Sequence, residues 1–261
     1  GFPVDYTYNS DNQVTSVDGF TSGVTAAEYT YDSKGRLSEV LRGNGTKLTL
    51  SYDATDRLIE SLDVNADGEV ILQQSYEYDS LGRLVKETVL PEHSPPSELI
   101  KSVSMSYGSD NRLTAKDGNT FDFDGDGNIL SAEGQSLSFN ARGQLIEAGE
   151  YQYVYNAEGH RIARRHAMNF GVSTTKYVVN PHHFGLVQTL RETTPTGDSR
   201  DFIYSPYGLV SQFNRFDGEY YYFHYDYRGS VTAITNQQGE VVARYGYLPY
   251  GKQYVIEGGV D

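Results

Sequence analysis

One pattern recurs along this chain and restricts its fold more than any other feature. It runs aromatic, one spacer, aromatic, Asp or Asn, a short polar stretch, Gly, then an apolar residue. The clearest copies are Tyr29-Thr-Tyr31-Asp32-Ser33-Lys34-Gly35-Arg36-Leu37 and Tyr76-Glu-Tyr78-Asp79-Ser80-Leu81-Gly82-Arg83-Leu84. Tyr6-Thr-Tyr8-Asn9 opens an earlier copy that ends at Val14. Tyr52 to Leu58 places Asp56 at the glycine position, and Tyr107 to Leu113 places Asn111 there. Phe123 to Ile129, Phe139 to Leu145 and Tyr155 to Ile162 follow at an even interval, while the earlier spacings are longer and irregular. Connections of varying length around a constant core are the signature of a repeat architecture.

Each copy reads as a hairpin. Aromatics two apart share one face of a strand. Asp at the first turn position and Gly at the fourth suit a type I turn, because Asp caps the backbone two residues on and Gly accepts positive φ. Asn and Asp tolerate positive φ better than most residues, which accounts for positions 56 and 111. A lone hairpin is marginal in water, so these units must pair with their neighbours. Stacking would bring the tyrosines of successive copies into register as an aromatic ladder from repeat to repeat.

The composition agrees with this reading. The chain holds 23 Tyr, 11 Phe and 27 Gly, with no Trp and no Cys. Lacking cysteine, it has no disulfide framework, no zinc–thiolate site and no cysteine nucleophile. A net charge of −14 argues against nucleic acid as a partner. No apolar run approaches the roughly 20 residues of a membrane helix, so membrane insertion is not expected. No signal peptide opens the chain, and Gly1 to Tyr8 already reads as the middle of a strand pattern, which predicts a piece of something longer.

The repeated Tyr-Asp-x-x-Gly-Arg-Leu cores resemble the YD-repeat family of Rhs proteins, Tc toxin C components and teneurins, over nearly the whole chain. The resemblance sharpens at Tyr221-Tyr-Phe-His224-Tyr225-Asp226-Tyr227-Arg228-Gly229-Ser230-Val231. It continues at Tyr245-Gly-Tyr247-Leu248-Pro249-Tyr250-Gly251. These two stretches look like the late Rhs core, with Gly239-Glu240-Val241-Val242 as the hairpin between them. Tyr204-Ser-Pro206-Tyr207-Gly208 is a weaker related copy. The resemblance implies a long sheet spiralling into a hollow shell, which in bacterial members commonly encloses a toxic C-terminal polypeptide. It also implies a secreted or cell-surface bacterial protein, whose partner is the rest of its own parent chain or an enclosed polypeptide. In many members an aspartyl self-cleavage region ends the core. This sequence stops at Asp261, so self-cleavage is carried over to no residue here.

Several constellations compete with a purely structural reading. Asp122, Asp124, Asp126, Asn128 and Glu133, with Gly127, match the ligand positions of an EF-hand calcium loop, yet the flanks read as strands and the repeat already supplies Asp124 and Gly127. Asp63-Val-Asn65-Ala-Asp67-Gly68 begins a similar loop, with Gln74 at the twelfth place. His182 and His183 are adjacent and would face opposite sides of a strand. His160, His166 and His224 have no serine or carboxylate at a triad-like spacing. No phosphate loop or dinucleotide fingerprint is present.

The expectation is therefore an all-β fold of tandem antiparallel hairpins in one large curved or spiralling sheet, a shell segment or short barrel, with minimal helix. It is drawn as one domain over 1–261, with clear hairpins over 1–165 and divergent repeats over 166–261. The repeat-structural residues are Tyr31, Asp32, Gly35, Leu37, Tyr78, Asp79, Gly82, Leu84, Tyr155, Gly159, Tyr225, Asp226, Gly229, Pro249, Tyr250 and Gly251. No catalytic residue is assigned. The alternative is a carbohydrate- or cell-surface-binding module, in which Tyr220, Tyr221 and Tyr222 present exposed rings to glycans.

Overall fold

A computed structural model of the chain describes residues 4–19, 24–99, 104–132, 134–168, 171–183, 186–248 and 251–259. The fold is all-β: 25 antiparallel strands with no α-helix among the described residues, the one helical turn being a 3-10 turn at Ser97–Leu99. It divides into two compact units, the first formed by 1–96 with 202–261 and the second by 97–201. No composition shift in the sequence marks this division.

The first unit opens with β1 (Tyr6–Tyr8), β2 (Val14–Asp18), β3 (Thr25–Tyr31), β4 (Leu37–Arg42), β5 (Lys47–Tyr52), β6 (Leu58–Val64), β7 (Val70–Tyr78) and β8 (Leu84–Leu90). They pair in chain order as one eight-stranded sheet, each hydrogen-bonded to the strand before and after it. The second unit holds β9 (Met105–Tyr107), β10 (Leu113–Lys116), β11 (Asn119–Thr120), β12 (Asp122–Phe123), β13 (Ile129–Ala132), β14 (Gln135–Phe139), β15 (Leu145–Ala148), β16 (Tyr151–Tyr155), β17 (Arg161–Met168), β18 (Gly171–His183) and β19 (Leu186–Thr193). The chain then returns to the first unit through β20 (Ser199–Ser205), β21 (Gly208–Asn214), β22 (Glu219–Tyr225), β23 (Val231–Thr235), β24 (Val241–Tyr247) and β25 (Gln253–Gly258). Pairing with the next strand in the chain is what a string of hairpins produces; among the described residues it is interrupted between β8 and β9 and between β11 and β12.

In the first unit the eight-stranded sheet packs against the strands that return. Val14, Val17, Ala26, Ala27, Tyr29 and Val40 from one side meet Ile203, Val210, Tyr220 and Tyr222 from the other in one buried cluster. A second cluster gathers Phe223, Ile234 and Ala243. This cross-sheet burial removes apolar surface from water, which is the main favourable contribution to folding. The second unit is built differently: among its described residues no apolar side chain is buried, and Met105, Tyr107, Leu130, Met168, Val172 and Val178 are exposed. Its strands are held by pairing, with partly buried side chains in place of a fully buried apolar core.

Candidate functional site

The repeated turn is the unit from which the wall is built. At the copy after β3, the Asp32 amide donates to the Arg36 carbonyl at 2.8 Å and the Gly35 amide to the Asp32 carbonyl at 2.9 Å. Asp32 Oδ1 accepts the amides of Lys34 and Arg36, while Oδ2 accepts Arg36 Nε at 2.7 Å. The Arg36 side chain therefore holds the Asp32 carboxyl below the usual carboxylate range. Asp53 and Asp79 are lowered in the same way, led by the backbone amides of Arg57 and Arg83. Gly35, Gly82, Gly159, Gly229 and Gly251 all have positive φ. Asp56 and Asn111 hold the same conformation, at φ 68° and 60°.

The tyrosine before each turn acid has a second task. Tyr31 Oη donates to the Val14 carbonyl at 2.8 Å, Tyr52 to Leu37 at 2.9 Å and Tyr78 to Leu58 at 2.7 Å. Tyr155 reaches Leu145, Tyr225 reaches Leu209 and Tyr247 reaches Val231 in the same manner. In each case the phenol latches onto the carbonyl of the apolar residue just beyond the preceding turn. The turn arginine supplies a further contact to the next ring: Arg36 lies 4.4 Å over Tyr52, and Arg57 lies 4.7 Å over Tyr78. Asp, Arg, Tyr and a carbonyl thus form one chain of contacts from hairpin to hairpin.

This corrects the aromatic ladder expected from the sequence. Along Tyr31, Tyr52 and Tyr78 it is an arginine, not another turn tyrosine, that lies on the next ring: Arg36 on Tyr52 and Arg57 on Tyr78. Two aromatic pairs in the first unit bring its two strand runs together, Tyr29 with Tyr207 at 5.5 Å and Tyr76 with Tyr227 at 5.3 Å, while Phe213–Tyr220 and Tyr220–Tyr222 pair within the returning run. Leu84 also departs from Leu37, being 39% exposed where Leu37 packs on the buried cluster. Pro249 and Tyr250 lie outside the described residues.

The exposed tyrosine platform is corrected too. Tyr220 and Tyr222 are buried, at 5% and 2% exposure, and Tyr221 packs beside the second cluster. Strand alternation sends Tyr220, Tyr222 and His224 of β22 to the inner face together. Burial pushes the Tyr222 phenol up to about 12. Rings so enclosed offer no platform to a glycan.

The calcium-loop readings meet the turn chemistry. Asp124 Oδ1 accepts the amides of Asp126 and Asn128, and Oδ2 accepts Asn128 Nδ2 at 2.8 Å, so this carboxylate is committed as at the other turns. Asp122 pairs with Ser131 across β12 and β13. Glu133 lies outside the described residues, and no group of three potential metal ligands occurs among the described ones. The second loop is overturned directly: Asp63 is 2% exposed and bonds inward, while Asn65 caps its turn through the amides of Asp67 and Glu69.

Asp63 is the centre of an arrangement that the sequence did not reveal. Arg42 donates to both its oxygens, at 2.7 and 3.1 Å. His224 Nδ1 lies 2.9 Å from Asp63 Oδ2, and His224 Nε2 lies 2.9 Å from Thr235 Oγ1. Asn44, at the tip of the β4–β5 turn, donates to Thr235 Oγ1 and to the Asn236 carbonyl. Every donor in this line has an acceptor when His224 is neutral with its proton on Nδ1. Burial depresses the His224 pKa against the opposing pull of Asp63. For Asp63, burial is the largest single influence and would raise the carboxyl; the Arg42 charge together with the interactions and hydrogen bonds of His224 and Arg42 outweighs it and holds the carboxyl well below the usual carboxylate range. The order acid–imidazole–hydroxyl is that of a hydrolytic triad. Here, though, His224 and Thr235 are both 0% exposed, and the group ties β4 and β6 to β22 and β23. The signal available in the sequence was a histidine on the inward phase of an aromatic strand; its partner lies 161 residues away.

Similarity to known proteins agrees with this architecture. These hairpins, latches and turns define an all-β YD-repeat shell protein. The chain matches the Teneurin YD-shell family over residues 3–92 and 97–257, and it belongs to that family. Among solved structures, it resembles the Photorhabdus luminescens Tc holotoxin pore with a TM-score of 0.66 at 15% identity. It also resembles TcdB2-TccC3 without the hypervariable C-terminal region, with a TM-score of 0.68 at 14% identity. In both cases the match covers 96% of this chain and 17% of the other. The chain thus spans about a sixth of the length of these neighbours. No curated protein matches it.

Proposed function

We propose that this chain is a wall segment of a YD shell in a longer parent protein, and that the assembled shell encloses a polypeptide, a toxin in the bacterial case. The observation that carries this reading is the repeat-to-repeat latch, in which Tyr31, Tyr52, Tyr78, Tyr155, Tyr225 and Tyr247 each fasten one hairpin to the preceding one. The recurring Asp, Gly and Arg and the second Tyr of the repeat are spent on turn or latch, which suits a scaffold rather than a reaction centre. The second unit supports it, since strands without a buried apolar core of their own suit a shell that encloses something else. The family and the fold likeness to Tc toxin shells support a bacterial protein working outside the cell or at its surface. The test is protease protection of the full-length parent. A polypeptide following this segment should resist digestion until the shell is opened, and digestion at the rate of the free polypeptide would rule out enclosure.

A further inference from the structure

Residues 159–191 include no Asp or Glu, although the chain carries 35 acids in all. The same stretch places Arg161, Arg164 and Arg165 on β17 and Lys176 on β18. All four are exposed, and none makes an ion pair among the described residues. By contrast, Arg36, Arg57, Arg83, Arg112, Arg228 and Arg244 each meet a carboxylate. The difference begins at the turn. Arg36, Arg57 and Arg83 pair with the acid that opens their own turn. In the turn before β17 that place is Asn156, so the turn offers Arg161 no carboxylate.

The two faces of these strands differ. Residues directly opposite one another across a ladder share a face. Arg164 stands opposite Tyr153 on β16 and Thr175 on β18, and Tyr177 stands opposite Glu192 on β19. The Arg164 guanidinium lies 5.3 Å over the Tyr151 ring; that of Arg161 lies 5.4 Å over Tyr153 and 5.5 Å over Tyr177. Both guanidiniums are thus held against rings on one face. Arg165, opposite Gln152 and Thr174, and Lys176, opposite Ala163, belong to the other face. No ring contact holds either of them among the described residues. A guanidinium backed by a ring keeps its planar fork of N–H donors for an anion and loses less freedom when one arrives.

The neighbouring groups narrow the choice of anion. Glu192 shares the face across from Tyr177, and Glu150 holds His166 at 3.2 Å. These acids divide the positive charge into separate points, which suits discrete carboxylates and opposes a phosphodiester backbone with its unbroken row of charges. The rings are occupied as well: Tyr151 by Arg164 and by His166, stacked at 4.6 Å, and Tyr153 and Tyr177 by Arg161. They back the cations rather than offering a platform for a stacked base.

We propose that the face of β16–β18 carrying Arg161 and Arg164 docks an acidic, extended segment of another polypeptide, whose carboxylates pair with the two ring-backed guanidiniums. The inference stands apart from enclosure, because it rests only on groups of β16 to β19.

The test is fluorescence anisotropy with the whole chain and a labelled peptide of alternating Glu and Thr, whose acids share one face when extended. A peptide of alternating Gln and Thr and a short oligouridylate, carrying the same label, are the comparisons. The Glu peptide should bind saturably, more weakly as salt is added, and the Gln peptide should not bind. Arg161→Gln combined with Arg164→Gln should weaken binding about tenfold or more, the scale of hydrogen bonds to a charged group. Arg165→Gln combined with Lys176→Gln removes as much charge from the opposite face and should change affinity by less than about threefold, since the loss acts only at a distance. Arg164→Lys keeps the charge without the fork and should fall between parent and double variant. All these side chains are exposed, so the variants should melt as the parent does. Equal losses from the two double variants would reveal a general charge effect, and tighter binding of oligouridylate a nucleic-acid face. Either result, or the absence of saturable peptide binding, would overturn the proposal.

Discussion

The phenol of Tyr52 donates a 2.9 Å hydrogen bond to the carbonyl of Leu37, across one hairpin boundary, while the Arg36 guanidinium covers the same ring. Polar and aromatic parts of one side chain thus do separate jobs, and substitution separates them. Tyr52→Phe keeps the ring under Arg36 and loses the latch. It should cost about 1 kcal/mol, the net worth of one hydrogen bond. Tyr52→Leu loses both and should cost more. Urea unfolding of the three proteins measures the difference, and equal stability for all three would remove the latch from the account.

The turns make a backbone prediction. Gly82 sits at φ 79°, and the nearest atom to an added Cβ is Arg57 Nη1 at 3.8 Å, so space is not the constraint. Gly82→Ala should destabilise by roughly 1–2 kcal/mol from the left-handed conformation alone. Asn111→Gly, made where a side chain already occupies that conformation, should be near neutral. Thermal melts of the pair distinguish conformational strain from crowding.

The buried tie predicts an asymmetric double-mutant cycle. Asp63→Asn leaves the Arg42 charge buried without its counter-ion and should cost about 3–5 kcal/mol. Removing both charges, with Arg42→Met added, should recover part of that loss. Additive losses in the double variant would show that the pair is not coupled.

His224 sets a pH dependence. Its folded pKa is depressed by burial below its ordinary value of 6.5. The unfolded chain therefore takes up a proton that the folded chain refuses. The associated stability is complete above pH 6.5 and is lost progressively as the pH falls from there towards the folded pKa. His224→Gln should flatten this part of the profile. The turn acids Asp32, Asp53, Asp79 and Asp124, all lowered, add a second decline as the pH falls below 3.8. Denaturation midpoints measured between pH 8 and 3 for both proteins would resolve the two, and parallel profiles would remove His224 as the source.

The second unit predicts its own dependence. With no apolar side chain buried among its described residues, residues 97–201 expressed alone should lack a cooperative thermal transition. A sharp melt of that fragment would show that strand pairing alone suffices.

What could be read from the sequence divides along the distance over which each feature is decided. The turns were legible because Asp32, Gly35 and Arg36 settle them within five consecutive residues. The hairpin fold followed, since within each sheet a strand pairs with its neighbours in the chain. The latch was half legible: the periodicity of Tyr52 and Tyr78 was plain, but the arginine between successive rings depends on side-chain direction that spacing does not encode. Tyr220 and Tyr222 were misread because a run of tyrosines looks like a surface platform until another sheet covers one face. Asp63 and His224 were invisible as a pair, since nothing local in either segment refers to the other.

The latch also has a polarity. Tyr31, Tyr52, Tyr78, Tyr155, Tyr225 and Tyr247 each reach back towards the amino terminus, never forward. As the ribosome extends the chain, each of these six hairpins arrives carrying its own clasp, and the carbonyl it needs has already been made. A wall fastened this way is laid like courses of brick, in the order of translation. Where the clasps operate, the most recent course is the one whose carbonyl still awaits a tyrosine.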